Sequence, residues 1–428
     1  MAESQFDIFR MTTDEVPVNF EAGVLTEIQG RTNSFATCRV VEGGKAGYCT
    51  SNTLDDDGLV ARATETAPYG KEVDVDLPGP AEVAAVDVFS QATADLATAE
   101  LADWGRRIID GVRKGIGKDL PVGVRLDKSV QRFSIRNSRG ISYEQAATGL
   151  TVMAELSDAR EGDIHEVFDV EYSPEPGGVQ PERMVRYVVD YYELGRETTG
   201  VATAAMPVLV HPFAVPQFLL PLLAGLDGES IKDGTSPLKD KMGERIFEES
   251  VTVFDDPFWA GSPGSAPFDA EGVAARRRPL VERGVLTSFN HTLETAKAVG
   301  HEPTGGAGRG ADGKPKPGVF NLVMEAGDTP HEEILSSIDR GLFLRYMSGS
   351  GHANNLAGEF SMGVYSGFLI EGGRLTKRVK NVMVAGNVYD AFKRVAAVSA
   401  DRVNSWTDDN RFALTPYVLL DGVSVAGA

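Results

Sequence analysis

The sequence predicts an α+β protein: an N-terminal α/β domain with hairpins and helices, then a C-terminal domain dominated by antiparallel β-sheet with a buried apolar helix. Three observations lead there. At 428 residues the chain exceeds what one core serves, and its pattern changes near residue 200, so domains are expected at 1–200 and 201–428. An apolar-Glu-Gly/Arg-Gly phrase recurs at Val41, Val281 and Ile370, which is hairpin turn chemistry at a spacing too irregular for a solenoid. Helical periods are few and stand apart from the strand runs.

Residues 6–52 read as strands, with Val18 to Ile28 extended and Ser34 to Ser51 a hairpin turning at Glu42-Gly43-Gly44-Lys45. Counting back from that turn sets Cys38 opposite Cys49; two thiols packing as small hydrophobes are expected there, with a cross-strand disulfide as the alternative. Leu77-Pro-Gly-Pro80 closes the segment. Leu96, Leu101, Trp104, Ile108 and Val112 predict one amphipathic helix over 92–115. Arg132 to Ser157 alternates as strands around Asn137-Ser-Arg-Gly140. Pro181 is placed to open a helix over Met184, Val188 and Leu194.

The second half starts with a helix from Pro216 to Leu226, apolar nearly all round and therefore buried, with Pro221 expected to kink or interrupt it. The stretch Glu248 to Phe254, a Gly/Ser/Pro-rich loop and a hairpin at Glu282-Arg-Gly284 follow. Thr329 is expected to cap a helix that Pro330 opens and Gly341 ends. Strands are expected near Glu359 to Ile370 and Leu375 to Val384, then a helix over Tyr389 to Val398, and a short final strand from Gly422.

Composition limits the function. Acidic residues outnumber basic ones 62 to 42 and the formal charge is −20, which argues against direct binding of nucleic acid. Arg276-Arg277-Arg278 is the densest basic run and is expected to be solvated. The longest apolar run, Phe218 to Leu226, is too short to span a bilayer, and the first residues carry neither a basic start nor an apolar stretch, so neither membrane insertion nor secretion is expected. The only two cysteines, Cys38 and Cys49, suit a reducing compartment, and a cytoplasmic location is expected.

Chemical motifs are incomplete. None of the six histidines has another four residues on, so no helix offers paired imidazoles of the zincin kind. Gly308 to Lys314 fits Gly-x4-Gly-Lys, but Pro315 stands where a phosphate loop needs Ser or Thr, so a glycine-rich loop, able to act as a lid, is expected. Ser348, Gly349, Ser350, Gly351, His352, Asn354 and Asn355 form a polar, glycine-rich stretch between two strand patterns, suited to holding an anion or a peptide; a plain loop fits equally well.

From His211 onward the chain resembles the TldD/PmbA family, metalloprotease-like proteins also described as modulators of DNA gyrase. The resemblance rests on Leu226-Asp-Gly-Glu-Ser230 with Gly234-Thr-Ser236, Val253-Phe-Asp-Asp-Pro257 and Gly264 to Gly272. It extends through Arg283-Gly-Val-Leu286 leading to His291 and Thr295-Ala296, Gly358-Glu-Phe-Ser361, Gly367 to Gly373 and Val384-Ala-Gly-Asn387. The N-terminal hairpin also resembles the family's first domain, although relatives usually open with a helix and here strand pattern begins by Phe6. TldD-type subunits carry His-Glu-x-x-x-His just before the Leu-(Glu/Asp)-Gly-(Asp/Glu) stretch and a late cysteine. Register on Leu226-Asp-Gly-Glu229 puts Leu219 and Ala224 at the two histidines and Leu220 at the glutamate, and no cysteine follows Cys49. Leucine and alanine offer zinc no lone pair, so no metal site, cofactor or catalytic residue is expected in this chain. The phrase Gly264 to Gly272 resembles the PmbA/TldE type.

The resemblance therefore implies a non-catalytic PmbA/TldE-like subunit, catalytically inactive on its own, of a TldD/TldE-type zinc metalloprotease complex that degrades or processes peptides. Zinc would sit in a TldD-like partner joined as a heterodimer; a homodimer is the other assembly considered. A stand-alone enzyme that tailors a small molecule without zinc, using Ser348 to Asn355 and His291, is one alternative. A protein-binding modulator of a topoisomerase is another.

Overall fold

The computed structural model describes residues 4–310, 312–349, 353–407 and 411–427. Strand β1 (Gln5–Glu21) is the spine of the first half, and its Ala22-Gly23 turn, at φ of 50° and 84°, reverses the chain into β2 (Val24–Ile28). The extended run expected over 18–28 is thus a hairpin. β3 (Arg31–Glu42) and β4 (Lys45–Ser51) turn at Gly43 and Gly44, where φ is 58° and 78°, and Cys38 faces Cys49 with both thiols free. Helix α1 (Asp56–Thr66), capped by Asp55, packs on this hairpin through Leu59 and Ala63.

The single helix expected over 92–115 is two, α2 (Gln91–Asp95) and α3 (Thr98–Ile116). Lys128 Nζ donates to the carbonyls of Ala94 and Leu96, at 3.1 and 2.8 Å, so a tertiary contact takes acceptors at the break. β5 (Val122–Asn137), β6 (Ser142–Arg160) and β7 (Asp163–Ser173) complete an antiparallel sheet ordered β4-β3-β1-β5-β6-β7, with β2 beside β1. Pro181 opens α4 (Pro181–Leu194), and α3 and α4 cover one face of the sheet. Their approach is close: a Cβ on Gly115 would meet Val189 at 2.6 Å.

The second half begins with β8 (Thr198–Thr199), β9 (Ala204–Val210), α5 (Val215–Gly225) and α6 (Gly228–Lys232). Then come β10 (Val253–Asp255), β11 (Arg278–Glu282), β12 (Val285–Leu286), α7 (Leu293–Val299), β13 (Gly308–Arg309), β14 (Pro315–Lys316) and β15 (Leu322–Met324). The chain ends with α8 (His331–Ser336), β16 (Arg340–Ser348), β17 (Glu359–Glu371), β18 (Arg374–Val379), β19 (Val382–Asn387), α9 (Val388–Phe392), β20 (Val395–Trp406) and β21 (Phe412–Gly427). Pairing runs from β9 to β16, β17, β19, β21 and back to β9, which closes a barrel and leaves none of these strands a free edge on the ring. Its inward residues, among them Val208, Leu342, Met362, Val384 and Val418, share one core with Phe218, Leu219 and Leu222 of α5.

Several boundaries differ from expectation. α5 runs through Pro221 as one helix. α8 stops at Ser336, well before Gly341, which lies in β16 and would place a Cβ 2.7 Å from the Pro207 carbonyl oxygen. Asp401, rather than Thr329, accepts the His331 N–H, at 2.8 Å. The strand expected over 375–384 breaks at Asn381, with φ of 55°, so that β18 pairs with β8 while β19 joins the barrel. α9 ends at Phe392 because Val395 onward pairs with β21, itself sixteen residues long rather than a short tail.

Buried charge joins the two halves. Asp7 accepts from Arg39 and Arg309, and Arg39 also reaches Glu271 at 2.8 Å, all fully or nearly fully buried. Burial opposes the Asp7 charge, yet the two guanidiniums hold its carboxyl below the usual carboxylate range. The guanidinium of Arg345 lies 4.6–5.5 Å from the rings of Phe168, Tyr187, Tyr191 and Phe213. Among the described residues no helix is long and apolar enough to cross a membrane.

Candidate functional site

Helix α5 decides what the candidate site can do. Successive residues turn about 100°, so Leu220, Leu223 and Ala224 share one face, and they line a cavity of about 570 Å³. Leu219 points elsewhere and is fully buried in the barrel core. Of the three positions singled out in the sequence, then, two face the cavity and one does not. Leu356 and Pro317 continue the apolar wall, while Asp227, Ser230, Asn290, Asn355 and Arg411 supply polar groups.

These polar groups are held by their neighbours. Asp227 caps α6, its Oδ1 accepting from the N–H groups of Glu229 and Ser230 at 2.9 and 3.2 Å, and burial pushes its carboxyl above the usual range. Asn290 accepts from Arg278 at 2.5 Å. Arg278 is buried and also reaches Asp255 at 3.5 Å, so the third member of the basic run is not the solvated group expected; Arg277 stacks over Phe254 at 3.7 Å. Arg411 donates to the Val319 carbonyl at 3.2 Å.

The donor set does not fit zinc. No side chain that α5 presents to the cavity carries a lone pair, and the Asp227 Oδ1 is engaged by two backbone N–H groups. Among the described residues, the one group of three possible metal donors is His331, Glu332 and Asp401 on α8 and β20, which shares no residue with this cavity. The described residues that line the cavity offer apolar contact from α5 and hydrogen-bonding groups from Asp227, Ser230, Asn290, Asn355 and Arg411.

The polar stretch at 348–355 is divided. Ser348 lines a second cavity, of about 650 Å³, with Asp163, Tyr365 and Arg378. Gly349 is exposed at φ 86°. Asn354 caps the single turn at Asn355–Ala357, and Asn355 lines the α5 cavity. Ser350, Gly351 and His352 lie outside the described residues. His291 is buried and absent from the cavity lining; its Nδ1 is 3.2 Å from Thr295 Oγ1 and its Nε2 is 3.0 Å from His301 Nδ1. Burial, then His301 and Arg278, lower its pKa to about 4. Asn290 and Arg411, which sequence reasoning missed, carry no local signal: each reaches the cavity through contacts with distant segments.

A two-layer α+β unit joined to a closed barrel that carries a buried apolar helix beside a polar-rimmed cavity defines the class of protein. Residues 203–427 match the family model described as PmbA/TldA metallopeptidase C-terminal domain, which is more than half of the chain. The chain belongs to the PmbA/TldD family. It is 37% identical over 223 residues to a metalloprotease of Methanothermobacter thermautotrophicus, covering 50% of this chain and 49% of the relative. With metalloprotease PmbA of Escherichia coli O157:H7 it is 28% identical over 180 residues, covering 42% of this chain and 38% of the relative. The chain thus spans about half or less of the length of these curated relatives. In fold it is similar to TldE from Thermococcus kodakarensis, with a TM-score of 0.91 at 22% identity, covering 99% of this chain and 97% of that one.

Proposed function

We propose that the chain is a non-catalytic PmbA/TldE-like subunit that pairs with a zinc-bearing TldD-like partner in a complex that degrades or processes peptides. The observation that carries this reading is the α5 face, where Leu220 and Ala224 occupy cavity positions at which the family register expects Glu and His. A metallopeptidase needs a ligated metal to activate water and a base to take its proton; Leu220 and Ala224 provide neither. The polar rim retained at Asp227, Ser230, Asn290 and Asn355 supports binding without hydrolysis. The likeness to TldE favours this subunit type, and the metalloprotease names of the sequence relatives favour a peptidase setting.

The test is co-expression with a TldD-like chain, followed by metal analysis and a peptide-cleavage assay. The expected result is a co-purifying heterodimer that cleaves peptide, with zinc confined to the partner and neither signal from this chain alone. A chain that neither co-purifies nor alters the partner's activity contradicts the reading.

A further inference from the structure

The glycine-rich segment that mimics a phosphate loop has a different use. It is a hairpin of β13 and β14, fixed by the buried Arg309–Asp7 pair, and it carries Lys314 and Lys316 to the wall of a cavity of about 510 Å³. That volume is in the range of ligand pockets, about 300–1,000 Å³. The opposite wall comes from β4 and the turn after α1, with Tyr48, Tyr69 and Lys71. α6 forms part of the boundary: Glu229 and Lys232 face this cavity, whereas Asp227 and Ser230 line the α5 cavity, and the two cavities share no residue.

Charge in this cavity is unbalanced in one direction. Its carboxylates are engaged: Glu271 bonds Arg39, and Glu229 and Glu294 reach Lys232, the latter at 3.7 Å. Lys314 has Asp312 at 4.0 Å. Among the described residues, Lys71 and Lys316 have no carboxylate within 4.0 Å. Unpaired ammonium groups at the mouth of a cavity, in a chain of charge −20, concentrate anions there against the average field of the molecule.

A single phosphate is a poor match. The N–H of Gly310 donates to the Lys314 carbonyl, that of Gly313 to the Gly310 carbonyl, and that of Lys314 to Asp312 Oδ1, so these backbone donors are already used. A phosphate cradle depends on such N–H groups being free. What remains is dispersed positive charge beside two aromatic rings, Tyr69 being 91% exposed. We propose that this cavity binds an acidic peptide segment, its carboxylates pairing with Lys71, Lys314 and Lys316 while its chain packs against Tyr48 and Tyr69. The proposal needs neither zinc nor a partner subunit, so its failure and the failure of the subunit reading are separate results.

The test is fluorescence anisotropy of the full chain with a labelled peptide in which Glu alternates with Ala, and with versions carrying Gln or Lys in place of Glu. The Glu peptide is expected to bind saturably and to weaken with salt. The paired substitution Lys71→Glu with Lys316→Glu is expected to weaken it about ten-fold or more, equivalent to roughly 1.4 kcal/mol. Both lysines are exposed, so the variant is expected to keep its thermal unfolding transition; if it does not, Lys71→Gln with Lys316→Gln is read instead. Equal binding of the Gln peptide, no saturable binding of the Glu peptide, or unchanged binding by the charge variant overturns the proposal. Displacement of the peptide by an equal concentration of inorganic phosphate overturns it in favour of a phosphate site.

Discussion

Asp7, Arg39, Glu271 and Arg309 show how single residues hold the two halves together. Two acids and two guanidiniums from β1, β3, the 264–272 segment and β13 neutralise one another out of contact with water. Removing one partner leaves a buried charge uncompensated, so Glu271→Ala is expected to destabilise the chain by about 3–5 kcal/mol in urea unfolding. Glu271 Oε2 also accepts the Leu293 N–H at 2.8 Å, which adds to that loss. Histidines act in the opposite sense to what their charge suggests. His165 and His291 are buried, and burial first of all lowers each pKa from 6.5 to about 4. Between pH 6.5 and 4 these two imidazoles take up protons in the unfolded chain but not in the folded one, so their contribution to stability falls as pH falls through that window. Burial raises the Asp169 and Asp255 carboxyls to about 6, which acts in the opposite sense on the total, so the test is a difference: the advantage of the parent chain over His165→Phe in urea midpoint should shrink from pH 7 to pH 4. Asp7, with its depressed pKa, adds its own loss only at lower pH, as acidity passes below its ordinary value of 3.8.

Among the elements, α5 was legible in the sequence as an apolar, buried helix because its composition alone determines that. Which of its residues meet the cavity was not legible, since this depends on how the helix is rotated against a barrel built from β9, β16, β17, β19 and β21. Leu219 faces inward, so Leu219→Ala should cost about 2–5 kcal/mol, whereas Ala224→Ser, at the cavity wall, should change stability by less than about 1 kcal/mol. A triple change of Leu219→His, Leu220→Glu and Ala224→His restores the family's residue pattern. It is expected to bind no stoichiometric zinc, because position 219 points into the core and no cysteine follows Cys49; metal analysis of the purified variant checks this. Hairpins with two-residue glycine turns were read correctly at Gly43-Gly44 and Gly372-Gly373, where positive φ imposes the residue type. The break at Leu96-Ala97 and the end of α9 were not, because Lys128 and β21 supply the competing contacts from far along the chain.

For the whole molecule, the α+β class and the family were readable from turn chemistry and from the phrases between Leu226 and Asn387. Closure of the barrel was not, for it depends on β21 pairing with β19 on one side and, across some two hundred residues of chain, with β9 on the other. The function proposed here divides labour between chains: this one shapes and binds, and a partner holds the metal. The most direct measurement is zinc content and peptide cleavage of the purified chain, alone and co-purified with a TldD-like partner. Zinc-free and inert protein alone, with zinc and cleavage appearing together in the heterodimer, is the expected result. Stoichiometric zinc in the chain alone, with cleavage that follows it, would contradict the division of labour.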